Sequence, residues 1–73
     1  MLKDAYQTIV EIAQSMDYGL MDDMIRNLKG YDLGEDTANI SRIEEMLSQL
    51  DWDGIAKIAE KGLSGLLGGK NND

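Results

Sequence analysis

Seventy-three residues with fourteen acidic and seven basic side chains, a net charge of −7, make a single small acidic domain with no room for a second core. Cysteine and histidine are both absent, which excludes disulfides, thiolate metal sites, the usual zinc ligand and the commonest general base. No apolar run approaches the roughly 20 residues of a membrane span, and a surface this acidic repels nucleic-acid phosphates and anionic lipid.

The start, Met1 to Tyr6, does not read as a signal peptide, because the apolar positions after it are spaced rather than continuous. A cytoplasmic location is expected. Proline and phenylalanine are missing, and no alternating strand pattern occurs. Leu2, Ala5, Tyr6, Ile9, Ala13 and Met16 recur at three- and four-residue steps, predicting a first helix from about Leu2 to Met16. A turn follows at Asp17-Tyr18-Gly19. The second helix carries Leu20, Met21, Met24, Ile25 and Leu28 on one face. Asp22 and Asp23 are placed in its first turn and Arg26 and Lys29 in its last, as the helix dipole prefers. Gly30 suits its C-terminal end.

Tyr31 to Glu35 reads as a loop, after which Asp36 or Thr37 can cap a third helix built on Ile40, Ile43, Met46, Leu47 and Leu50. A second turn, Asp51-Trp52-Asp53, leads to a fourth helix with Ile55, Ile58, Ala59, Leu63, Leu66 and Leu67 on one face. Gly62 and Gly65 weaken that helix by about 1 kcal/mol each relative to alanine. Gly68-Gly69 should end it, leaving a disordered tail over 68–73. The expected fold is all-α: a single domain over 1–67, made of helical hairpins at 2–30 and 36–67. The two antiparallel hairpins would pack as a tetratricopeptide-like pair or as a small four-helix bundle.

A shift of 34 residues superimposes the halves. Ile9 falls on Ile43, Glu11 on Glu45 and Asp17 on Asp51, while Met16 meets Leu50, Tyr18 meets Trp52 and Met21 meets Ile55. The two turns then share one pattern, in which an aspartate caps the next helix and an aromatic ring follows it. A period near 34 built of paired helices is also that of tetratricopeptide repeats.

Asp17 to Ile25, with its counterpart Leu50 to Ile58, resembles the helical segment found after receiver domains in bacterial hybrid sensor kinases and response regulators. The resemblance spans residues 3 to 63. It implies a regulatory or docking appendage of a two-component signalling protein. Arg26-Asn27-Leu28-Lys29-Gly30 is similar to the histidine phosphotransfer motif, but arginine stands where that family needs its histidine, so no phosphate could be accepted there.

Few residues invite chemistry. Asp51-Trp52-Asp53-Gly54 begins like a calcium loop, yet Ile55, Ala56 and Gly62 occupy the places of the remaining oxygen ligand, glycine and glutamate. Asp22-Asp23 and Glu44-Glu45 point about 100° apart on their helices and read as solvated surface. No catalytic residue, metal or cofactor is implied. Tyr18 and Trp52 are expected to close the hairpins as core, and the methionines to pack there. Tyr31, in a loop outside both stripes, is the aromatic expected to be exposed. Leu63, Leu66 and Leu67 extend past the repeated match and mark a contact surface or a self-association seam. The expected function is a non-catalytic protein-interaction module binding a protein partner or a neighbouring domain of its parent chain. An acidic inhibitor, such as a phage anti-defence protein or nucleic-acid mimic, is the competing class.

Overall fold

The structure, a computed structural model, describes residues 2–67, the last of them by its backbone alone. The tail and the Gly68-Gly69 helix end expected from sequence therefore lie outside the described residues, as does the side chain of Leu67. Four helices follow one another: α1 (Leu2–Ser15), α2 (Tyr18–Lys29), α3 (Asp36–Ser48) and α4 (Trp52–Leu67). No strand occurs among the described residues. α1 packs most extensively on α4, α3 packs on α4 and α2, and α1 touches α2 least. Each helix thus has two neighbours, and contact of the first with the last closes the ring as in a small four-helix bundle.

Both corners close with the same pair of backbone bonds at the offset of 34. The Met16 and Leu50 amides donate to the Ala13 and Leu47 carbonyls at 3.1 and 3.0 Å. The Asp17 and Asp51 amides reach back to the Ile12 and Met46 carbonyls at 3.4 and 2.9 Å. This paired pattern is a Schellman close of the helix. The residue at its centre is left-handed, with φ 55° at Met16 and φ 58° at Leu50. Such a conformation costs a side-chain-bearing residue on the order of 1 kcal/mol, which glycine avoids. Each aspartate then caps the following helix, Asp17 Oδ1 accepting from the Leu20 amide at 3.1 Å and Asp51 Oδ1 from the Gly54 amide at 3.0 Å.

Several local expectations change. The turns shift along the chain, because Tyr18 and Trp52 already belong to α2 and α4, leaving residues 16–17 and 49–51 between the helices. Asp22 and Asp23 consequently sit beyond the first turn of α2. Met16 and Leu50 leave the apolar stripes, since the left-handed kink turns them outward, and both are exposed along with Tyr18 and Leu20. Trp52 is half-buried against the core. Glu35, not Asp36 or Thr37, stands at the N-terminal end of α3 and makes no side-chain cap bond.

The core repeats with the corners. Tyr6 and Ile40, Ile9 and Ile43, Ala13 and Leu47, Met21 and Ile55, and Ile25 and Ala59 are five pairs 34 residues apart, and all ten residues are buried. The repeat breaks at Leu28, which is buried while its counterpart is Gly62. The reason is steric. A Cβ at Gly62 would stand 2.5 Å from Cζ of Tyr6, so only glycine admits the ring. What the sequence suggests is a weak point in α4 is a helix contact instead.

Gly62→Ala is expected to destabilise the domain by about 1 kcal/mol or more, overpacking outweighing the helix-propensity gain. Gly65, where a Cβ would meet nothing within 4 Å, is the control. Gly65→Ala should raise stability by up to about 1 kcal/mol, with denaturant midpoints reading both changes.

Candidate functional site

Tyr6 is fully buried, and a phenol taken from water needs hydrogen-bond partners. Its hydroxyl donates to Asp36 Oδ1 at 2.7 Å and accepts from Asn39 Nδ2 at 3.1 Å. Asp36 is therefore spent on the Tyr6 hydroxyl rather than on capping its own helix. Burial, then the bond to Asp36 and its charge, push the phenol up to about 12, Asn39 opposing them. Beside this trio opens a cleft of about 350 Å³ lined by Glu35, Asp36, Asn39, Lys61, Gly62 and Leu66 among others. That size reaches the lower end of small-molecule sites, roughly 300 Å³. However, its buried polar atoms satisfy one another, and among the described residues no buried side-chain donor or acceptor is left unpaired. The trio is structural.

The expected contact residues are separated by the fold. Tyr31 is 59% exposed, as its place outside the stripes implies. Its amide donates to the Leu28 carbonyl at 3.1 Å, and Asp32 Oδ1 accepts from the Gly34 amide at 3.2 Å, so the loop is held at both ends. Leu63 is half-buried against the core, covered by its own chain. Leu66 is exposed and borders the Lys61 cleft, which shares no residue with the surroundings of Tyr31.

Tyr31 stands between two apolar hollows. One, of about 250 Å³, includes Ala5, Thr8, Met24 and Leu28; the other, of about 100 Å³, includes Leu28, Leu33, Thr37 and Ile40. Both are below or near the smallest ligand cavities and suit single side chains of a partner. Lys29 Nζ bridges both carboxylate oxygens of Glu44 at 2.9 and 3.0 Å along the rim, pinning α2 to α3. That pair is half-exposed and contributes little stability.

A second group of exposed apolar side chains was not expected. Met16, Tyr18, Leu20 and Leu50 are exposed at the two corners. The corners share one end of the bundle. Tyr6, near the start of α1, meets Gly62 late in α4 and Asp36 and Asn39 early in α3. Because α1 packs along α4, it must run from there towards the beginning of α4, bringing its own corner to the level of the second. A sequence signal for this surface did exist: apolar residues directly before both capping aspartates, where a Schellman close favours glycine.

The raised phenol makes stability pH-dependent. The folded protein holds the Tyr6 proton more tightly than the unfolded chain, so this contribution is complete below pH 10 and is lost as pH climbs from 10 through about 12. Tyr6→Phe should flatten that alkaline slope in pH-resolved unfolding curves and lower stability at neutral pH by about 1 kcal/mol.

No family model, curated protein or solved structure matches this chain.

Proposed function

We propose that this chain is a non-catalytic protein-binding module, cytoplasmic, serving a regulatory role in bacterial two-component signalling. The observation that carries the reading is Tyr31, held by its loop between two apolar hollows. Aromatic rings dominate binding hot spots, and flanking hollows let apolar side chains from a partner helix seat on either side of the ring. The partner is a protein, or a neighbouring domain of the same parent chain, and it presents an apolar helix face. The resemblance of residues 3 to 63 to the segment that follows receiver domains supplies the signalling context.

The acidic-inhibitor reading has one observation in its favour, the net charge of −7 on a short chain. Mimicry of phosphates calls for free, outward carboxylates. Here Asp17 and Asp51 cap helices, Asp36 holds Tyr6, Asp22 lies 3.2 Å from Arg26 and Glu44 pairs with Lys29. These five of the fourteen acidic side chains are engaged within the chain, and the apolar hollows at Tyr31 favour docking over mimicry.

Titrating isotope-labelled protein with bacterial receiver domains is expected to shift the amides of Leu28, Tyr31 and Leu33 in a saturable way. Tyr31→Ser should weaken that binding more than tenfold with little change in melting temperature, the side chain being exposed. Binding that collapses with added salt but ignores Tyr31→Ser would support the inhibitor instead. Turnover of any substrate by the isolated domain, or no shift with any receiver domain, would remove the reading.

A further inference from the structure

The two corners display side chains that the fold does not use. Met16 and Leu50 hold equivalent left-handed positions, φ 55° and 58°, and are 64% and 59% exposed. Glycine would take that backbone without strain, so a bulky apolar group there, twice, carries a conformational cost while staying mostly exposed in this chain. Tyr18 and Leu20 stand exposed beside the first corner, and Trp52 is half-buried beside the second. These groups gather at the end of the bundle opposite the Tyr6 and Tyr31 level.

Charge says what kind of molecule could cover them. Residues 12–24 and 46–56, which make up this end, contain Asp17, Asp22, Asp23, Asp51 and Asp53 and neither lysine nor arginine. Two of these aspartates cap helices and Asp22 pairs with Arg26 at 3.2 Å, which leaves the end acidic overall. A second copy of this chain would bring two acidic rims together, and phosphate-bearing polymers or anionic membranes would meet the same repulsion. A cationic partner reverses the sign. Its lysines or arginines would meet the rim while its apolar side chains covered Met16 and Leu50, the methionine adapting to their shape.

We propose that the corner end is a docking surface for a basic amphipathic helix of a partner protein, anchored by Met16 and Leu50. This surface is distinct from the hollows at Tyr31 and stands or falls separately.

The test uses the whole chain and its one tryptophan, Trp52, as reporter. The probe is a synthetic leucine–lysine peptide with helical apolar spacing. Controls are a scrambled peptide of the same composition and a leucine–glutamate version. Saturable change in Trp52 emission is expected with the first, at least tenfold weaker binding with the second, and none with the third. Met16→Gly combined with Leu50→Gly should weaken the first interaction at least tenfold while raising the unfolding midpoint, because glycine relieves the left-handed strain. Tyr31→Ser should leave it unchanged. The proposal is overturned if the double glycine variant binds equally well, or if it is less stable than the parent, since the side chains would then be serving the fold. Equal binding of the scrambled peptide would reduce the effect to charge alone. Concentration-dependent dimers in sedimentation that vanish in the glycine variant would give the surface to a second copy.

Discussion

The bundle depends on one ring in one gap. Tyr6 reaches full burial only because α4 carries no side chain at Gly62, and the ring brings a hydroxyl that must be answered inside the protein. Asp36 and Asn39 answer it from the first turns of α3. A single side chain of α1 therefore sets its approach to α4 and its height against α3. The break in the repeat follows from the same contact. One half carries Tyr6 and Leu28, the other carries Ile40 and Gly62 at the equivalent places, so the large residue of one half fills the space left by the small residue of the other. Two identical halves could not close in this way.

The corners impose the second constraint. Each aspartate has two tasks, its amide closing the helix before it and its carboxylate opening the helix after it. Two or three residues then suffice to reverse the chain, and the left-handed residue ahead of the aspartate is forced out of the apolar stripe. Exposure of Met16 and Leu50 is thus a geometric result of how the chain turns. Their apolar character is not, since any residue meets the bonding pattern and glycine meets it most cheaply.

These constraints divide the molecule into two ends with different surfaces. Around Tyr31 the chain offers apolar hollows in a partly pinned setting. At the corners it offers protruding apolar groups within a field of carboxylates. A domain this short commonly holds only a few kcal/mol of net stability, so a partner at either end would also stabilise it by mass action.

Helix number, order and approximate ends were legible in the sequence because apolar spacing at three and four residues is a local signal that burial merely amplifies. The aspartate caps and the offset of 34 were legible for the same reason, as was the exposure of Tyr31 outside both stripes. Periodicity assigns a face to each residue but not the point where a helix stops, so it places Met16, Leu50 and Tyr18 in the core although a left-handed step or a helix start turns them outward. Spacing likewise leaves Leu63 uncovered, although its neighbours in space half-bury it. Tertiary structure alone decided that Gly62 is a contact, that Asp36 serves Tyr6 and that both corners share one end. Each of these joins residues 30 to 56 positions apart, and a spacing rule that reaches one helical turn carries no information about which distant side chain will arrive to fill a gap or share a proton.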